Sequence, residues 1–246
     1  MKILGVIPAR YASSRLPGKP LADILGKPMV WWVYQAAKQS PLLDDLVVAT
    51  DDERILSVCK EYGMNAVMTR ADHDTPTSRI QEVSCLIQAD LYLQIMGDEP
   101  LIDPKAFELI LPKELPDDPY YVAGVTNRME HPADVIDFSN QKVVCNARRE
   151  ILLISRSPIP YPKGTADFEY EKITGIQLFS KKALDFYAAT PKSALEKAEE
   201  NDLMRFIENG HTVHAVLSPY KTVSVDTPKD VDIVCDILKK RNGSDQ

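Results

Sequence analysis

No apolar run among the 246 residues approaches the roughly 20 that a membrane-crossing helix needs. The opening MKILGVIPAR passes from a short apolar stretch straight into a basic loop. It lacks the longer apolar region and small-residue cleavage site of a secretory leader, so a cytoplasmic protein is expected. The four cysteines, Cys59, Cys85, Cys145 and Cys235, include no CxxC pair. Neither a zinc site nor a disulfide framework is indicated, and they are expected to serve as small apolar side chains. There is no GxxxxGK[ST], which excludes a Walker loop, and no GxGxxG, which removes the main support for a nicotinamide-dependent oxidoreductase. A formal charge of −7 gives nucleic-acid binding no global electrostatic support. Internal repeats and low-complexity stretches are absent.

What is present is an ordinary soluble composition, 44% hydrophobic and 26% charged. The length suits one large domain over residues 1–246, or one domain with a small appendage. The first half alternates short β-type runs with amphipathic segments of helical length. Strands are predicted at Ile3–Ile7, Leu46–Thr50, Ala66–Met68 and Leu91–Met96. Helices are predicted at about 29–38, after Asp51-Asp52-Glu53, and at about 77–87. Strands separated by helices imply βαβ units and a mostly parallel sheet, with ligands at the carboxyl ends of its strands. The middle reads differently. Lys142–Asn146 and Glu150–Ser155 form a predicted hairpin, the proline-rich Ser157–Gly164 an extended loop, and Ile173–Phe179 a strand. Ala194–Asn209 is predicted as helix, and Thr222–Asp226 as a strand leading into a last helix from about Lys229 to Arg241.

Three constellations carry candidate chemistry. The first is PARYASSRLPGKP at 8–20, directly after the first strand. Arg10, Arg15 and Lys19, with the hydroxyls of Ser13 and Ser14 between them, have the charges to surround a triphosphate. A solvated basic loop has the same composition, so that reading stays open. The second is Met96-Gly97-Asp98-Glu99-Pro100, where an acid after a strand and a flexible glycine can reach a phosphate-bound metal, or where a turn simply ends the strand. The third is Val225-Asp226-Thr227-Pro228. Here Asp226 or Thr227 either caps the next helix or supplies a second carboxylate beside Asp98. His211 and His214 flank a predicted strand and are expected to face solvent, while Trp31-Trp32 reads as core or interface packing.

Taken together, the chain resembles the 3-deoxy-manno-octulosonate (Kdo) cytidylyltransferase family, whose members are also called CMP-Kdo synthetases. The resemblance is carried in order by PARYASSRLPGKPL (8–21), GKPM (26–29), VATDDERI (48–55), MTRADH (68–73), GDEPLI (97–102), SRSPIPYP (155–162) and VDTPKD (225–230). SRSPIPYP and the short length resemble the capsule-type branch most. The resemblance implies a Rossmann-like α/β nucleotidyltransferase core with a β-containing dimerisation arm at roughly 130–175. It implies a homodimer that uses CTP and Mg2+ and transfers CMP to an acidic sugar with release of pyrophosphate. By motif, Arg10, Ser13, Arg15, Lys19 and Arg79 would hold CTP, and Asp98 and Asp226 the metal. Arg156 would lie at the sugar-acid pocket, and Arg10, Lys19, Asp98 and Asp226 would be catalytic.

The chain also departs from that pattern. The family's DHxSGTDR is here Asp72-His73-Asp74-Thr75-Pro76-Thr77-Ser78-Arg79, so a glycine becomes Pro76 and an aspartate Ser78. QGDEP has Met96 in its first position, and HxGIY reads Ile173-Thr174-Gly175-Ile176-Gln177. The Glu-Gln of a later helix is Asp202-Leu203. The phosphate and metal positions are kept while the sugar side changes. The expectation is therefore a different or less polar acceptor, such as a modified 3-deoxy-ulosonic acid. The alternatives are authentic CMP-Kdo synthesis and, in another class, a nucleotide-binding homologue without turnover.

Overall fold

The apolar run Ile3–Ala9 forms β1, and every residue in it except Pro8 is buried. A strand apolar on both sides needs cover on both sides, which is the situation inside a parallel sheet. The computed structural model describes residues 1–13, 15–165 and 167–243. After β1 come a small hairpin, β2 (Asp23–Ile24) and β3 (Lys27–Pro28), then α1 (Met29–Lys38), β4 (Asp45–Thr50), α2 (Glu53–Glu61) and β5 (Ala66–Met68). Next are α3 (Pro76–Leu86), β6 (Leu91–Ile95), α4 (Lys105–Ile110), β7 (Val122–Arg128), α5 (Pro132–Ile136), β8 (Lys142–Cys145) and β9 (Ile151–Ser155). The chain continues with β10 (Glu171–Ser180), α6 (Lys181–Ala189), α7 (Ala194–Glu199), α8 (Leu203–Glu208), β11 (Val213–Leu217) and α9 (Pro228–Gly243).

The main sheet has the order β11-β7-β10-β6-β1-β4-β5. β1 pairs in parallel with β4 and β6, β4 with β5, and β11 with β7. β10 runs against both of its neighbours, β6 and β7. Two apolar layers cover the sheet. On one face Ile7, Leu93, Ile95 and Leu178 pack with Val30 and Val33 of α1 and Ile55 of α2. On the other, Leu4, Tyr92 and Phe179 pack with Ile80 of α3, Leu184 of α6 and Phe206 of α8. Fully burying each such aliphatic side chain contributes about 1.5–3 kcal/mol. Helix ends are set locally. Asp52 caps α2 by accepting from the Arg54 amide, and Ser193 and Glu196 form a reciprocal capping box on α7. Among the described residues no helix is long and apolar enough to cross a membrane.

Several expectations need amendment. The single helix over 194–209 is two helices, because Glu200 takes a left-handed conformation (φ 50°) and the Asn201 side chain caps the Leu203 amide. Thr222–Asp226 is not a strand: the Val225 amide is spent on the Asp98 carbonyl at 2.8 Å, so the segment crosses the carboxyl edge of the sheet instead of joining it. The hairpin at 142–155 forms as β8 and β9, and β8 also pairs with β10, so the arm is continuous with the main sheet. His211 and His214 are half-buried and do not simply face solvent. His214 stacks on Tyr121, and His211 sits between Phe186 and Tyr120.

Candidate active site

Two adjoining clefts open at the carboxyl ends of β1 and β6. The first, about 250 Å³, is lined by Arg10, Ser13, Arg15 and Lys19 on one wall and by His73–Pro76 and Arg79 on the other. The loop after β1 is folded back by the Gly18 amide, which donates to the Tyr11 carbonyl at 3.0 Å, and by Lys19 bonding to Leu16. Ser13 Oγ accepts weakly from the Leu16 amide (3.4 Å), and Ser14 lies outside the described residues. Tyr11 is held from outside by Arg54, whose guanidinium lies 3.3 Å from its ring centroid.

That fold carries the Lys19 ammonium across to the two candidate metal acids. Nζ donates to Asp98 Oδ2 at 2.6 Å and to Asp226 Oδ1 at 3.0 Å, and the Arg15 guanidinium reaches Asp226 at 2.9 Å. Burial alone would depress Lys19. The charges and hydrogen bonds of Asp98 and Asp226 outweigh it, so Lys19 is held above its usual range and is a full cation at neutral pH. Gly97 makes the approach possible, because a Cβ there would meet the Pro8 carbonyl oxygen at 3.0 Å. Asp226 is not a helix cap. The cap is made in reverse by Asp230, which accepts from the amides of Asp226 and Thr227, leaving the Asp226 carboxylate free to face Lys19.

The opposite wall is built differently from a phosphate clamp. Arg79 is 3% exposed and its guanidinium is taken by Asp51 (2.7 Å) and Thr69 (2.5 Å), so it borders the first cleft as a fixed strut. Pro76 starts α3, where its missing amide costs nothing, and Thr75 caps the helix at the Ser78 amide. Ser78, His73 and Glu82 form a hydrogen-bonded chain, and the Ser78 hydroxyl donates to the Thr75 carbonyl at 2.8 Å. These contacts tie the 73–75 loop to the first turn of α3.

The second cleft, about 810 Å³, shares Arg15, Pro76, Met96, Asp98 and Asp226 with the first. Arg156 lines it, donating to the backbone carbonyls of Glu199 (3.0 Å) and Phe138 (3.1 Å). Its surroundings are polar. Gln94, Asn127, Asn140, Lys172, Gln177 and Asn201 all contribute, a lining that suits a polar acceptor better than a less polar one and leaves the expectation of a different acceptor open. Glu99 is pushed up to about 7, by burial first and then by the neighbouring charge of Asp98.

Sequence reasoning missed the support behind these walls. Thr75 Oγ1 meets the Tyr187 hydroxyl at 2.9 Å, and Tyr187 lies against a buried Glu196–Arg205 ion pair. The Ser193-x-x-Glu196 capping pattern was a readable signal for the helix but not for its partner across the fold. Fully buried Lys142 donates to the carbonyls of Asp137 and Asn140 and so fixes the loop that flanks the second cleft.

Known proteins share this sequence pattern and this fold. The cytidylyltransferase family model matches residues 4–216. A 3-deoxy-manno-octulosonate cytidylyltransferase of Solibacter usitatus is 39% identical over 241 residues, covering 97% of this chain and 95% of that protein. One from Escherichia coli is 40% identical over 227 residues, 92% of each chain. The solved structure of a CMP:2-keto-3-deoxy-manno-octonic acid synthetase complexed with CTP superposes with a TM-score of 0.92 at 38% identity, covering 98% of this chain and all (100%) of that one. The inositol-1-phosphate CTP transferase of T. maritima, at 16% identity and a TM-score of 0.68, shares the fold. Matched over nearly its whole length in sequence and in backbone, the chain belongs to the 3-deoxy-manno-octulosonate cytidylyltransferase family of nucleotidyltransferases.

Proposed function

We propose that this chain joins CMP from CTP to a Kdo-type sugar acid, either Kdo itself or a modified 3-deoxy-ulosonic acid, and releases pyrophosphate. One observation carries the reading: Asp98 and Asp226, bridged by Lys19 from the first cleft, line both clefts where a nucleotide phosphate and an acceptor hydroxyl would meet. The first cleft would take CTP, with Arg10, Ser13, Arg15 and Lys19 against its phosphates and Arg79 bracing the far wall. The second would take the acid, with Arg156 beside it. The anomeric hydroxyl attacks the α-phosphorus and pyrophosphate leaves opposite. No covalent enzyme intermediate is needed, so catalysis rests on positioning and charge neutralisation.

Asp98 and Asp226 already share one cation, Lys19, and present hard oxygen donors. Two carboxylates with phosphate oxygens suit Mg2+, so these two residues fit as its protein ligands. Bound there, magnesium would neutralise phosphate charge and polarise the reacting phosphorus centre. Lys19 then keeps the two acids together in the absence of nucleotide and supplies a fixed positive charge beside them.

The reading includes a homodimer and a cytoplasmic location. The arm carries Ile136, Phe138, Leu152 and Tyr161 with more than half of each exposed (75%, 73%, 55% and 85%), which supports a covered face there. Kdo-dependent release of pyrophosphate from CTP tests the transferase reading, and its absence with every sugar acid would end it.

A further inference from the structure

Among the described residues, four buried oxygen atoms of the second cleft have no hydrogen-bond partner: Gln94 Oε1, Gln177 Oε1, Glu99 Oε2 and Thr222 Oγ1. Their positions follow from strand register. Gln94 of β6 stands directly opposite Gln177 of β10, and two residues back along the same face Tyr92 stands opposite Phe179. Tyr92 and Phe179 are fully buried in the apolar layer under α3 and α6. One step further along, that layer gives way to a pair of amides at the floor of the cleft.

Both amides are almost wholly buried, at 2% for Gln94 and 8% for Gln177. Among the described residues the Gln94 nitrogen reaches the Met96 sulfur alone, at 3.8 Å. Glu99 uses its other oxygen to accept from the Gly175 amide (3.3 Å) and the Ser224 hydroxyl (3.4 Å). Gly175 is required for this approach, since a Cβ there would meet Met96 Cγ at 2.5 Å and Glu99 Oε1 at 2.9 Å. Buried acceptors without donors cost stability unless something completes them. Gln177 also stands where the family pattern HxGIY has tyrosine, so one member of the pair departs from that pattern. A phenol puts its donor and acceptor on one oxygen at fixed reach, whereas an amide presents them on two separate atoms.

We propose that the cross-strand pair Gln94–Gln177, flanked by Glu99 and Thr222, is the specificity-determining floor of the acceptor cleft and reads hydroxyl groups of a polyhydroxylated sugar acid. This rests on the reading of the second cleft as the acceptor site. The floor selects by completing its own hydrogen bonds. An acid with hydrogen in place of a hydroxyl there leaves the amides unpaired and is rejected.

The test measures binding by calorimetry to the full chain with magnesium and a CTP analogue whose α,β bridge cannot be cleaved. Turnover with CTP is followed alongside. The probes are Kdo and its analogues with single hydroxyls replaced by hydrogen. Wild type is expected to bind at least one analogue about 10- to 100-fold more weakly than Kdo. Gln177→Leu and Gln94→Leu are expected to bring that ratio close to one while the KM for CTP stays unchanged, which a merely structural role would not produce. Equal binding of Kdo and every deoxy analogue by wild type overturns the proposal. So does a ratio unaltered in both variants, and so does failure of Kdo and all analogues to bind. Binding of Kdo without pyrophosphate release from it or from any other 3-deoxy-ulosonic acid defeats the transferase reading instead, and the ratio still decides this one.

Discussion

The hydroxyls of Thr75 and Tyr187 lie 2.9 Å apart, and that contact ties the wall of the first cleft to the buried Glu196–Arg205 ion pair. Arg205 donates to both oxygens of Glu196, at 2.7 and 2.5 Å, and Tyr187 packs against its guanidinium. Removing the Tyr187 hydroxyl deletes the link and its bonds to Arg205 (3.1 Å) and Glu196 (3.3 Å), while the direct Arg205–Glu196 contacts stay. Tyr187→Phe is expected to lower stability by about 1 kcal/mol and to raise the KM for CTP several-fold, with a smaller change in kcat. Thermal melts and steady-state kinetics check this, and an unchanged KM would separate the wall from its support. Glu196→Gln leaves a buried guanidinium uncompensated and should cost more, about 3–5 kcal/mol.

Asp98 and Asp226 share Lys19 but come from segments far apart in the chain, so each can be altered singly. Asp98→Asn and Asp226→Asn are each expected to cut cytidylyl transfer by about 10²–10³-fold, in line with the loss of one group that stabilises transition-state charge. Circular dichroism should be unchanged, and more magnesium should be needed for half-maximal rate. A variant with wild-type magnesium dependence would place the metal elsewhere.

Arg149 donates to both oxygens of Glu171, at 2.8 and 2.6 Å, where the arm meets the main sheet. Burial alone would raise the Glu171 carboxyl, but the hydrogen bonds from Arg149 and Thr126 overcome it and hold the group below its usual 4.5. A carboxyl depressed in the folded state adds stability that is full above about pH 4.5 and is lost as pH falls through the lower folded value. Glu171→Gln is therefore expected to flatten the acid limb of the stability curve below about pH 4.5. Denaturant melts across that range measure it, and an acid limb as steep as wild type would contradict the assignment.

Much of the α/β core was legible because its cues are local. Helix 29–38 and strand 66–68 fall where apolar spacing and flanking residues put them. The basic loop and the two acids were legible as candidates for the same reason. What was not legible depends on partners distant in sequence. The crossing of 222–226 over the sheet edge is set by Val225 bonding to Asp98, and the break at Glu200 by Asn201 turning to cap the next helix. The commitment of Arg79 to Asp51 and Thr69 needs two other elements in place before it exists. Gln94 and Gln177 become a pair only through antiparallel register, which no single strand encodes.

Ile136 and Tyr161 are exposed on the arm and apart from the charged cluster of the clefts. Sedimentation of the wild-type chain is expected to give a dimer at micromolar concentration. The double variant Ile136→Ser, Tyr161→Ser is expected to shift it towards monomer without unfolding. A wild-type chain that sediments as a monomer would remove the dimer from the proposed function.

The most direct measurement mixes the purified chain with CTP, magnesium and Kdo, then follows pyrophosphate while the sugar product is weighed by mass spectrometry. The account predicts pyrophosphate in equal amount to a new CMP-sugar, and a rate that collapses when either magnesium or the acid is left out. Tight CTP binding without pyrophosphate from Kdo or any other 3-deoxy-ulosonic acid would contradict it.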